Sequence, residues 1–95
     1  MPRVSVKLIG QLKRILNRGN VVVELDESAL KALFIVLIER YGRKFKTRLT
    51  GSNTDDPEVN NIILVNDVEI SILEGLETKL HENDVITIIP VTHGG

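Results

Sequence analysis

The sequence predicts an α+β domain in which a mixed sheet of four to five strands packs on one main helix. Three observations carry this reading. Short segments rich in Val and Ile, some strictly alternating, flank a single long stretch whose apolar residues recur at helical spacing. Clusters of Asn, Asp and Gly separate these segments as turn signals. Finally, 95 residues suffice for one modest core but not for helices on both faces of a sheet. One sheet face is therefore left to solvent or to a partner.

The elements follow in order. Arg3-Val4-Ser5-Val6-Lys7-Leu8 alternates polar and apolar, so Val4, Val6 and Leu8 point inward from a half-buried strand. Gly10 to Asn17 is a connection with one helical turn over Leu12 to Leu16, and Asn17-Arg18-Gly19-Asn20 is a turn. Val21-Val22-Val23-Glu24-Leu25 is a β-branched strand that pairs antiparallel with the first. Ser28 then suits a helix N-cap, with Asp26 and Glu27 adding favourable negative charge. Leu30, Leu33, Phe34, Leu37, Ile38 and Tyr41 form one helix face, and Gly42 suits the left-handed position that ends it. Ile35 and Val36 lie off that stripe.

Residues 43–49 carry four cations around Phe45 and Leu49, which fits one short helical turn and reads as a solvated basic turn, and 51–57 is a polar loop. Asn61-Ile62-Ile63-Leu64-Val65 is apolar on both faces, as in a central strand. Asn66-Asp67 turns the chain into a short strand at Val68-Glu69-Ile70. Leu80 closes a short edge element before a turn at Glu82-Asn83-Asp84, where Asn83 and Asp84 serve turn geometry and His81 is a turn residue. Val85 to Ile89 is the last strand, with Ile86 and Ile88 on one face and Val85, Thr87 and Ile89 on the other. Residues 1–90 thus form the domain, and 91–95 a flexible C-terminal tail.

Composition excludes several classes of function. The longest apolar run, seven residues from Ala32 to Ile38, is far short of a bilayer span, no secretory signal is visible, and a cytoplasmic location is expected. Cysteine is absent, which removes disulfides, thiolate metal sites and thiol nucleophiles. His81 and His93 stand alone, without metal-ligand spacing, and no phosphate-binding glycine loop or nucleophile–base pair appears. No metal, no bound cofactor and no catalytic residue is expected. The net charge of −1 conceals a split: residues 1–48 hold eleven of the twelve Lys and Arg against four acids, whereas 49–95 hold one against nine. Such asymmetry steers docking if folding keeps the halves apart.

The chain given ends Pro90-Val91-Thr92-His93-Gly94-Gly95. At ordinary glycine usage of about 7%, two terminal glycines arise by chance in about one chain in two hundred. One reading is a frayed end. The other is that a free carboxylate on Gly95, carried on a stalk without side chains, is the functional group. Gly94 and Gly95 can take backbone conformations closed to other residues and pass close to enzyme walls. Ordering residues 91–95 in such a channel costs about 5–10 kcal/mol, so the folded body has to supply a docking surface. Val85, Thr87 and Ile89 are the candidates for it.

The run from Ile62 to Gly95 resembles the β-grasp sulfur carriers and ubiquitin-like modifiers. The likeness lies in Ile62-Ile63-Leu64-Val65-Asn66-Asp67, Leu73-Glu74-Gly75-Leu76-Glu77-Thr78-Lys79-Leu80, Asn83-Asp84-Val85 and the Pro90–Gly95 ending. Leu8, Gly10, Leu12 and Arg14 also resemble the loop after the first strand of molybdopterin synthase small subunits. The resemblance implies a ubiquitin-like β-grasp fold and a protein co-substrate rather than an enzyme. It implies that an E1-like adenylyltransferase, using ATP and Mg, activates Gly95 as an acyl-adenylate. A sulfurtransferase then supplies sulfur for a thiocarboxylate, used for example in tRNA thiolation, or a lysine of a target protein takes the carbonyl as an isopeptide. Val91, Thr92, His93 and Gly94 would line the partner's channel, with His93 aiding recognition. The Pro90-Val91 approach resembles a small subunit whose tail enters the large subunit of molybdopterin synthase in molybdenum cofactor biosynthesis. The His93-Gly94-Gly95 ending resembles ubiquitin-related modifier, and the reading leans to that branch. A different class, an RNA- or protein-binding module using the basic region from Arg40 to Arg48, remains open. No membrane partner and no direct nucleic-acid contact are expected from the leading reading.

Overall fold

The computed structural model describes residues 1–52 and 54–91. Five strands form one sheet in the order β2-β1-β5-β3-β4. These are β1 (Arg3–Leu8), β2 (Asn20–Glu24), β3 (Asn61–Val65), β4 (Val68–Glu69) and β5 (Val85–Pro90). β1 and the central β5 run parallel, with Ser5 opposite Val85 and Leu8 opposite Ile88. All other pairs are antiparallel, including β1 with β2 and β3 with β5. The alternation read in the sequence fixes this register, since a slip by one residue would turn every inward side chain to solvent.

Among the described residues three α-helices lie among the strands: α1 (Gln11–Leu16), α2 (Leu30–Tyr41) and α3 (Arg43–Thr50). Val4, Val6, Val21, Val23, Ile63, Val65, Ile86 and Ile88 line the inner sheet face, against Leu30, Leu33, Phe34 and Leu37 of α2. Each such side chain stabilises the fold by about 1.5–3 kcal/mol through removal from water. Val36 and Ile38 pack at the margin of this core, whereas Ile35 stays exposed.

Four expectations need correction. Ser28 does not cap α2. The helix starts one residue later from an extended Ala29, and no side chain caps it. The backbone there pairs instead with residues 78–80: the Leu80 N–H donates to the Ser28 carbonyl at 2.6 Å, and the Leu30 N–H to the Thr78 carbonyl at 2.8 Å. Tertiary pairing satisfies groups that a cap would otherwise serve. Residues 43–49 are not a solvated turn but most of an eight-residue helix, anchored by Phe45 and Leu49, both fully buried. Gly42 takes φ 86° and ψ −168°, so it is left-handed in φ yet extended in ψ, and it links α2 directly to α3. Last, β3 lies inside the sheet between β5 and β4 but is not buried on both faces: Ile63 and Val65 are buried, whereas Ile62 on its other face is 41% exposed.

Candidate functional site

The segment that leads to the terminal glycines leaves the sheet beside α1 and α3. Pro90, the last residue of β5, lies opposite Asn61, and the Val91 N–H donates to the Asn60 carbonyl at 2.9 Å. Proline has no N–H, so it suits the end of a strand whose ladder stops there. The root of the tail is thus held against the start of β3.

That start is itself fixed by two asparagines. Asn60 donates from Nδ2 to the Thr50 carbonyl at 3.2 Å. Asn61, 6% exposed, donates from Nδ2 to the carbonyls of Leu49 and Pro57 at 2.6 and 2.8 Å. Its Oδ1 has no partner among the described residues. The C-terminus of α3 is tied in this way to the strand from which the tail departs. Gly51 makes the tie compact. It has φ 85°, and a Cβ there would lie 2.9 Å from Asn60 Nδ2.

A cavity of about 450 Å³ opens at this junction, bounded by Gly10, Gln11, Arg14, Arg48, Asn60 and Val91 among others. The resemblance had drawn on Gly10 and Arg14, and on Pro90 and Val91, as separate segments. Folding makes them one site. It adds Thr47 and Arg48, from the basic region read as an alternative binding module, and Asn60, which no local pattern marked as functional.

Val91 is 38% exposed. Thr92, His93, Gly94 and Gly95 lie outside the described residues. Val85, Thr87 and Ile89 occupy the sheet face opposite the helices. Val85 and Ile89 are half-buried, but Thr87 is only 8% exposed, set between Lys7 of β1 and Leu64 of β3. The larger exposed apolar groups on that face are Val22 and Ile62, at 47% and 41%. The alternation around each was the signal available in the sequence.

His81, Asn83 and Asp84 build a turn. Asn83 has φ 69°, and Asp84 accepts the His81 N–H at 2.8 Å and the Asn66 side-chain amide at 2.8 Å. Among the described residues one group has a clearly perturbed acidity. Lys31 is raised above its ordinary 10.5, first by its hydrogen bond to Glu77 and then by that carboxylate's charge, with Nζ 2.8 Å from Oε1. Among the described residues no group of three or more His, Cys, Asp or Glu side chains is arranged to hold a metal ion. No helix among them is long and apolar enough to cross a membrane.

The ThiS family model matches residues 6–95 of the chain. No curated protein matches it in sequence. Among solved structures, the small archaeal modifier protein 1 (SAMP1) from Methanosarcina acetivorans is 27% identical with a TM-score of 0.80, covering 100% of this chain and 98% of its own. Urm1 from Trypanosoma brucei is 18% identical at a TM-score of 0.77, covering 98% of this chain and 95% of its own. A putative molybdopterin converting factor, subunit 1, from Pyrococcus furiosus is 19% identical at 0.75, covering 97% of this chain and 100% of its own. At such identities the last two establish a shared β-grasp fold alone.

Proposed function

This chain belongs to the ThiS family, and from that premise we propose that it is a ubiquitin-like modifier and sulfur carrier whose reactive group is the Gly95 carboxylate. The observation that carries the reading is a family match that runs through to Gly94-Gly95, beyond a strand whose end is pinned to the body.

The chemistry follows from the group itself. A terminal carboxylate has a pKa near 3.3–3.7 and is an anion at neutral pH. Neither sulfur nor an amine displaces its oxygen directly. An E1-like adenylyltransferase with ATP and Mg solves this: a Gly95 oxygen attacks the α-phosphate, pyrophosphate leaves, and an acyl-adenylate forms. The outer sulfur of a sulfurtransferase persulfide attacks the carbonyl, AMP leaves, and a thiol reduces the resulting acyl disulfide to the thiocarboxylate, itself becoming a disulfide. Alternatively, a lysine amine of a target protein attacks the carbonyl and forms an isopeptide. The chain supplies the tail and its docking body, and the catalytic groups are the partner's.

The test is the intact mass of the protein after incubation with an activating enzyme of this type, ATP and a sulfur donor. A gain equal to sulfur minus oxygen, absent when Gly95 is deleted, supports the reading. No change where a known carrier is converted refutes it. A second reading rests on the cavity that joins Gly10, Arg14, Pro90 and Val91, the segments that resemble the molybdopterin synthase small subunit. It predicts co-purification with that enzyme's large subunit and no lysine conjugates bearing a Gly-Gly remnant.

A further inference from the structure

Folding pairs Lys31 and Lys46 of the basic half with Glu77 and Asp55 of the acidic half, but it leaves a group of unpaired cations against the root of the tail. Residues 1–23 and 40–54 contain no acid and ten Lys and Arg side chains. Folding packs α1 from the first segment on α3 from the second. Lys13, Arg14, Arg18, Arg43, Lys44 and Arg48 are all exposed, and among the described residues none has a carboxylate within ion-pair distance. Arg14, Lys44 and Arg48 converge on one cavity of about 390 Å³, together with Gln11, whose Oε1 lies 3.5 Å from the Arg48 guanidinium. Arg14 and Arg48 also border the cavity that contains Val91.

We infer that the α1–α3 face binds the phosphate backbone of RNA, with Arg14, Lys44 and Arg48 at its centre. Three arguments select this partner. Unpaired cations with no acid among them are the electrostatic footprint of a polyanion site. Protein interfaces favour Arg, but they set it among apolar and aromatic side chains at their centre and deplete Lys there. Here the centre is wholly charged and polar apart from the half-buried Ile15. Screening over about 8–10 Å also makes the local cluster, not the net charge of −1, decide what approaches. The aromatic residues do not form a stacking platform on this face, since Phe45 is fully buried beneath it. Binding therefore reads backbone and shape rather than base identity. A bound RNA lies beside the exit of the tail. The inference is independent of tail activation, because binding is measured on the chain alone.

The test is a fluorescence-anisotropy titration of a labelled RNA hairpin of mixed sequence with the full chain. Three phosphate contacts predict about a 20- to 40-fold loss of affinity between 50 and 200 mM salt, from a slope of about −0.7 (single strand) to −0.9 (duplex) per contact. The triple variant Arg14→Gln, Lys44→Gln, Arg48→Gln loses at least about 10-fold at the lower salt. A control with the same change of net charge, Arg3→Gln, Lys31→Gln, Lys79→Gln, stays within about 3-fold. The inference is overturned if the hairpin shows no saturable binding at the lower salt, or if the control loses as much as the triple variant. It is also overturned if polyglutamate of matched charge displaces the hairpin at equal concentration, which would assign the face to an acidic protein.

Discussion

Replacing Phe45 by Ala tests whether α3 belongs to the core. Phe45 is fully buried, packs near Tyr41 with ring centroids 5.7 Å apart, and sits in a helix whose other buried apolar anchor is Leu49. Truncating such a ring costs about 3–5 kcal/mol, the sum of lost transfer energy and the cavity left behind. A domain of this size has about 5–15 kcal/mol in total. The variant therefore loses a third or more of its stability in most of that range. Near the melting point, 1 kcal/mol corresponds to about 4–8 °C, so a fall of at least about 12 °C is expected. Urea denaturation followed by circular dichroism measures the difference directly. Arg43→Ala, on the exposed side of the same helix, stays within about 0.5 kcal/mol. A cost below about 1 kcal/mol for Phe45→Ala would refute the reasoning, since only a solvated turn tolerates that loss.

Three further predictions follow from single contacts. Gly51→Ala forces a Cβ to 2.9 Å from Asn60 Nδ2 at a φ of 85°. It costs about 1–3 kcal/mol in denaturant, and a neutral result would show that the α3–β3 tie is loose. Ser28→Ala is close to neutral, within about 0.5 kcal/mol, because Ser28 contributes its carbonyl and not a cap. A loss of about 1 kcal/mol or more would restore the capping role. Lys31 has a folded pKa raised above 10.5 by Glu77, so its contribution is fully present below the unfolded pKa and is lost as pH rises through the folded value. The small difference in melting temperature between the protein and Lys31→Met should hold steady from about pH 7 to 9, fall progressively as pH rises past 10.5 and shrink in high salt. A difference that grows with pH would contradict the sign.

The sheet was legible because its signal is local. Val4, Val6 and Leu8 alternate with polar neighbours, Val21 and Val23 flank an exposed Val22, and Ile86 and Ile88 share a face. The same holds for the long stripe of α2. α3 was underread because only two of its three buried residues, Phe45 and Leu49, are apolar, while its cations imitate a solvated turn. Ser28 was misread because local capping preference lost to a tertiary pairing with residues 78–80, fifty positions away. At the site, Pro90 and Val91 were visible, and so were Gly10 and Arg14. Their convergence with Arg48 and Asn60 depends on sheet order and on the packing of α1 against α3, which no window of sequence contains. Whether the basic and acidic segments would mix was likewise a question of topology.

The central claim is that the chain ends in a chemically active carboxylate on Gly95, delivered by a body that performs no catalysis. The mass of the C-terminal peptide, isolated from the protein's own cells, tests this most directly. The account predicts a peptide that ends at Gly95 and carries sulfur in place of one oxygen in part of the population, or an isopeptide bond to lysine. A peptide that continues past Gly95, or one that carries only an unaltered carboxylate in every growth condition with no lysine conjugates, would contradict it.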